Sequence, residues 1–140
     1  MIPEPTRLLF VYGTLQRGGL WHHLLAGEAF VGGDTVTGAL YLHPCGAYPV
    51  LLLGDRAVPG QVFRVGPAAF ERVARLEAGE YTPRDVITGA GRSVTVFVCE
   101  DERFRTPSRA LESFDPTRYR AAWHVTTDRD SSPTRGESVA

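Results

Sequence analysis

Residues 8–19 read "LLFVYGTLQRGG". Leu8 to Tyr12 is a short apolar run bounded by turn residues, which predicts a buried strand. The next three residues, Gly13-Thr14-Leu15, are uncharged, and Gly18-Gly19 comes soon after. A strand that ends there and passes into a helix can present consecutive backbone N–H groups. Such N–H groups, reinforced by a helix N-terminus, hold a carboxylate or phosphate without a charged side chain. The same residues suit a plain strand-to-helix turn, and spacing alone leaves both readings open while favouring the plain turn.

Working outward, Leu20-Trp21 and Leu24-Leu25 recur at helical spacing and predict a short helix to about Ala26, stopped by Gly27. Gly32-Gly33 reads as a turn. Thr35 to Leu42 reads as a strand, "HPCGAYP" as a loop, and Val50 to Leu53 as a buried strand. Val58 to Val65 is a further strand, with Pro59 and Gly60 marking an edge, bulge or bend. Gly66-Pro67 opens a helix with proline suited to its first turn. Phe70, Val73 and Leu76 mark its apolar stripe and Gly79 ends it. Val86-Ile87, the turn "TGAGR" and Ser93 to Cys99 read as a hairpin. After the charged loop "EDERFRTPSR", Asp115-Pro116 caps a last short helix through Tyr119 and Trp123. From Asp128 the chain is polar and aperiodic, which predicts a disordered tail over 128–140 behind one domain, 1–127. Short strands at this spacing, bent by glycines, predict an α+β fold: a small mixed β-barrel of about six strands with flanking short helices.

The 140 residues suit one domain able to bury roughly two thirds of its unfolded surface. Fifteen basic residues balance sixteen acidic ones, so charge gives no reason to expect nucleic acid or an anionic membrane as partner. Every basic residue is Arg, which excludes Schiff-base or phosphate-binding lysine chemistry. Two cysteines, Cys45 and Cys99, make no disulfide framework and read as buried free thiols. With no signal pattern and no apolar run near ~20 residues, a cytoplasmic location is expected; the oligomeric state is not legible.

No metal site is expected. His22 and His23 are adjacent, His43 and His124 stand alone, and no Cys/His zinc pattern occurs. Walker-type loops and serine nucleophile elbows are also absent. The remaining chemical feature is "FERVARLEAGEYTPR", residues 70–84. Glu77 follows Val73 by one helical repeat and Phe70 by two, so one face begins apolar and ends in a carboxylate. Burial and the carbonyl end of the helix both disfavour the anion, an expectation that moves such a carboxyl toward the range useful for proton transfer. The competing reading is a carboxylate that reaches solvent or pairs with Arg84.

Taken in order, "FVYGTL", "FVGGDTVTGALY", "GAYP", "VPGQVF" and "RLEAGEY", together with Arg84, resemble the γ-glutamylcyclotransferase-like superfamily. The resemblance covers about Leu8 to Cys99. It implies a small mixed β-barrel and conversion of a γ-glutamyl amide into 5-oxoproline and a free amine, with no cofactor. The family's Tyr-Gly-(Ser/Thr)-Leu loop binds the substrate α-carboxylate through N–H groups, a role that falls here on Tyr12, Gly13, Thr14 and Leu15. Its catalytic Glu ends a Leu-Asp-x-x-Glu pattern. Val73 to Glu77 fits that pattern with Val and Ala substituted, and Leu76 to Glu80 fits it at the cost of the loop beyond. The inward stripe selects Glu77. Tyr48 and Tyr81 are candidate pocket walls, or core residues. Gln61 stands where the family often has Glu, Cys99 near where it often has Tyr, and Tyr81 and Arg84 are spaced more widely than usual. A non-catalytic module holding a small carboxylate, or an interaction domain with an empty pocket, are the alternatives on the same fold.

Overall fold

Arg7–Val11 forms β1 in the computed structural model of the chain, which describes residues 5–117. Leu9, Phe10 and Val11 are no more than 1% exposed, because β1 has a neighbour on each side. It pairs antiparallel with β3 (Pro49–Val65) and parallel with β5 (Ser93–Val98). The other elements are β2 (Ala29–Leu42), α1 (Pro67–Glu77), β4 (Thr82–Ile87) and β6 (Ala110–Leu111). Across the sheet the strands run β4-β5-β1-β3-β2-β6. The fold is therefore mixed α+β, a six-stranded sheet with one α-helix among the described residues. No described helix is long and apolar enough to cross a membrane.

The expected barrel is not formed: the sheet stays open, with β4 and β6 at its two edges. β6 is only two residues long. β4 carries Pro83, which has no N–H to offer another strand, beside the charged Arg84 and Asp85. Isolated contacts take the place of a closing ladder. Gly89 N–H donates to the Thr35 carbonyl at 2.9 Å. The Asp34 carboxylate accepts from Thr35 N–H at 2.8 Å and Ala90 N–H at 3.0 Å, and pairs with Arg92 at 2.7 Å. Burial alone would raise the Asp34 pKa, but its hydrogen bonds from Thr88, Thr35, Arg92 and Ala90 hold it down at about 2.

Strand boundaries also differ from expectation. Gly32-Gly33 is not a turn but lies inside β2, where the register against β3 shifts between Phe30 and Gly32. The two strands expected over Val50–Leu53 and Val58–Val65 are halves of β3. Gly38 faces Arg56 and Ala39 faces Leu52, so Leu53, Gly54 and Asp55 have no opposite number. Leu53 is 84% exposed as a result. Bulges of this kind are set by cross-strand pairing, to which periodicity along one strand is blind.

The helix expected to about Ala26 contracts to a 3₁₀ turn, His22–Leu25. Leu24 N–H bonds Trp21 and Ala26 N–H bonds His23, three residues back in each case, and Gly27 turns the chain away before an α-helix can start. α1 forms where expected, with Pro67 in its first turn. Its buried residues are Ala69, Val73 and Glu77. Phe70 is only half-buried, with the Arg7 guanidinium 3.9 Å above its ring. Cys99 is buried as expected, whereas Cys45 is exposed. Asp115 accepts from the Thr117 N–H at 3.0 Å, the cap expected for the last helix. The remainder of that helix and the tail over 128–140 lie outside the described residues.

Candidate active site

The chain leaves the middle of the sheet at Tyr12, which is 0% exposed. Its hydroxyl donates to the Phe97 carbonyl of β5 at 2.6 Å. The turn beyond it folds back tightly. Gly13 O accepts from Gln16 N–H at 3.1 Å, and Thr14 O from Trp21 N–H at 3.0 Å. Leu15 O lies 3.0 Å from His22 Nδ1; a carbonyl only accepts, so that nitrogen carries the ring proton. With these three carbonyls engaged, the peptide planes of the turn are fixed. Gly19 lies so close that a Cβ there would meet the Thr14 carbonyl oxygen at 2.3 Å.

Two side chains that the sequence does not single out as supports hold this turn. Gln16 is 7% exposed, and its amide nitrogen donates to Gly13 O and Phe114 O, both at 3.2 Å. Gln61, opposite Val11 in the ladder, accepts from Arg17 N–H at 2.8 Å. The position noted as a departure from the family pattern thus supports the turn. No sequence signal marks the bonds from Gln16 to Phe114 and from Arg17 to Gln61, because both span long sequence separations.

The second half of the site comes from the end of α1. Glu77 is its last residue and is 0% exposed. Gly79, at φ +94°, adopts the left-handed conformation that ends helices. The Glu77 carbonyl then accepts from Glu80 N–H at 3.3 Å and Tyr81 N–H at 3.1 Å. Tyr81, 6% exposed, donates its hydroxyl to Pro49 O at 2.8 Å. Burial first, and then the charge of Glu77 close by, push the Tyr12 phenol well above its ordinary pKa. Burial does the same to Tyr81, with Tyr12, Glu77, Glu80 and Tyr48 contributing. Both phenols therefore remain protonated donors, and Tyr12, Tyr81 and Glu77 lie within electrostatic reach of one another.

Glu80 points elsewhere. Its carboxylate accepts a long hydrogen bond from the Tyr48 hydroxyl at 3.4 Å and lies 3.5 Å from His43 Nε2. Arg84, the alternative partner considered for Glu77, pairs with Glu100 at the surface. Tyr48 is 6% exposed; burial, then neighbouring Cys45 and Glu80, raise its pKa. Among the described residues no group of His, Cys, Asp and Glu side chains is arranged to hold a metal.

Three cavities among the described residues are not lined by Gly13–Leu15 or Glu77. One of them, of about 640 Å³, lies beside Arg7, Arg64 and the start of α1. Another of about 450 Å³ has Leu51, Val96, Val98 and Cys99 among its walls, with Glu100 and Glu102 also lining it. Leu51 and Cys99 are also neighbours of the Tyr12 phenol, so this cavity approaches the Tyr12 side of the site.

A family model described as gamma-glutamyl cyclotransferase, AIG2-like, matches residues 9–121. No match is found among curated proteins. Among solved structures, an uncharacterized protein from Pyrococcus horikoshii is 27% identical, with a TM-score of 0.67, over 85% of this chain and 97% of its own. An AIG2-like protein from Mus musculus is 23% identical, with a TM-score of 0.64, over 79% of this chain and 88% of its own. Kluyveromyces lactis allophanate hydrolase contains the same fold in 22% of its length, at 16% identity and a TM-score of 0.66 over 86% of this chain.

Proposed function

The chain belongs to the gamma-glutamyl cyclotransferase, AIG2-like family, and we propose that it releases 5-oxoproline and a free amine from a γ-glutamyl amide, without a cofactor. The observation that carries the reading is Glu77, a carboxylate with no solvent exposure at the inner end of α1, beside Tyr12 and Tyr81. Fully buried acidic residues are rare, and functional sites are where they concentrate.

In this reading the backbone N–H groups of Gly13, Thr14 and Leu15 cradle the substrate α-carboxylate, as the family's loop does. Tyr12, Tyr48 and Tyr81 wall the pocket, and the cavity beside Leu51 and Cys99 leads to it. The substrate α-amine attacks its own γ-carbonyl. The new C–N bond closes the ring, Glu77 takes the proton released by the amine, and the same carboxyl gives it to the departing nitrogen as the old C–N bond breaks. Because both reactants are in one molecule, holding the chain bent supplies much of the acceleration, up to roughly 7–11 kcal/mol in well-aligned intramolecular reactions. Fixed donors at the turn stabilise charge as it develops. A cytoplasmic location belongs to the same reading.

A panel of γ-glutamyl amides assayed for 5-oxoproline tests the proposal. Release from at least one member, lost in Glu77→Gln, supports it. Binding with no product across the panel overturns it in favour of a carboxylate-binding module.

A further inference from the structure

The cavity of about 450 Å³ beside the proposed site bears on which amine leaves. Resting on the cyclisation reading above, we propose that the released amine carries an apolar arm with no second charge, an alkyl or aryl amine, and that the arm lies in this cavity.

The cavity is continuous with the site. The Tyr12 hydroxyl donates to Phe97 O at 2.6 Å, and the next two residues along the chain, Val98 and Cys99, are cavity wall. Cys99 N–H in turn donates to Leu51 O at 2.9 Å, which ties that wall across to β3. A γ-glutamyl group held by the turn beyond Tyr12 therefore has this cavity for the part of the molecule beyond the scissile C–N bond.

The wall selects by polarity. Val36, Leu51 and Val96 line it and are no more than 3% exposed. Val98 is two residues from Val96 in β5, so both side chains share one face of the sheet. Asp85 also borders the cavity, but it stands opposite Thr95 in the ladder and accepts the Thr95 hydroxyl at 2.9 Å. Thr95 alternates with Val96, so that carboxylate lies on the other face, where Phe97 meets Phe70 of α1. The remaining charges at the cavity are matched: Arg84 pairs with Glu100, and Glu102 with Arg105 at 2.7 Å. A cationic arm would lose water here without gaining a partner. An apolar arm meets apolar surface. Leu53, displaced by the bulge of β3 to 84% exposure, borders the same cavity and leaves such surface to be covered. The volume suffices, since an apolar cavity of about 150 Å³ takes up benzene.

The test compares γ-glutamyl-n-hexylamide with γ-glutamyl-5-aminopentylamide on the full chain. Their arms match in length and end in a methyl or an ammonium group. Release of 5-oxoproline by the wild type reads kcat/KM, and calorimetry on Glu77→Gln reads affinity apart from turnover. If the wild type releases nothing, calorimetry on the wild type itself reads the preference. The hexylamide is expected to be favoured at least about tenfold in both measurements. From methylamide to butylamide, each added methylene is expected to gain about three- to fourfold. Val98→Phe narrows the wall and is expected to cut the advantage of hexylamide over methylamide at least about tenfold. Release of 5-oxoproline with no preference between the two arms overturns the inference and leaves cyclisation standing. Preferential binding of the hexyl arm without release does the reverse. A loss in folded Val98→Phe that falls equally on hexylamide and methylamide removes the arm from this cavity and overturns the inference.

Discussion

Glu77 is 0% exposed beside Tyr12 and Tyr81, whereas Glu80, just past the helix stop, is half-buried between His43 and Tyr48. The same residue type at nearly the same place in the chain meets two chemistries. The difference arises at Gly79. Its left-handed turn reverses the chain, so the last residue of α1 keeps the inward direction of Ala69 and Val73 while Glu80 is thrown toward the loop before β3. A carboxylate shut away from water suits proton transfer during a reaction. One that stays in touch with solvent suits pairing with a histidine.

The comparison breaks most sharply at the acids themselves. Glu77→Gln is expected to lower 5-oxoproline release by about 10²–10⁴-fold, the usual worth of a positioned acid–base group. Glu80→Gln is expected to leave release within about tenfold of wild type. Comparable losses in steady-state assays of the two folded variants would erase the distinction. Next in size is the turn proposed to act with Glu77. Gly19→Ala forces a Cβ toward the Thr14 carbonyl and is expected to destabilise the protein by about 1–3 kcal/mol, as other overpacked sites do. Urea unfolding measures that cost, and a raised KM would tie the turn to substrate binding.

A site remote from both acids supplies the control. Asp34 has its pKa lowered from 3.8 to about 2, so its contribution is present above pH 3.8 and is lost as pH falls through about 2. Asp34→Asn is expected to cost about 1–2 kcal/mol near neutrality and nothing at the acid limit, without altering the contrast between Glu77 and Glu80. Chemical denaturation at several pH values reads this directly. The smallest effect belongs to the helix stop. Gly79→Ala meets no steric obstacle among the described residues, since none lies within 4 Å of its Cβ, but it must adopt φ +94°. A loss of about 1 kcal/mol in thermal or urea unfolding is expected. A larger loss would mean that the turn between the two acids carries more than local strain.

Much of this was legible in the sequence where the signal is local. The apolar run of β1, Pro67 at the start of α1, Gly79 at its end and the hairpin around Thr88–Arg92 each depend on residues near one another in the chain. The candidate acid was legible too, because helical period carried the stripe from Val73 to Glu77. The stripe itself differs at two positions, since Ala69 rather than Phe70 goes inside and Leu76 is only half-buried; the Arg7 guanidinium above the Phe70 ring gives that side chain a place at the surface edge. Burial was expected of Cys45 because cysteines usually are buried, and nothing in "HPCGAYP" announces that Glu80 will join His43 beside it.

By itself the sequence determined the elements whose causes are local: where β1 ends, where α1 begins and stops, and that an uncharged turn and one carboxylate are the features with chemical promise. Only the tertiary structure decided that β2 and β3 run long through bulges, that the sheet stays open, and that Glu77 turns inward while Glu80 joins His43 and Tyr48. Local conformation follows from the preferences of neighbouring residues. Register, closure and the company a side chain keeps depend on partners far along the chain, such as Gln61 against Arg17 or Asp34 against Arg92, and no periodicity within one segment encodes them.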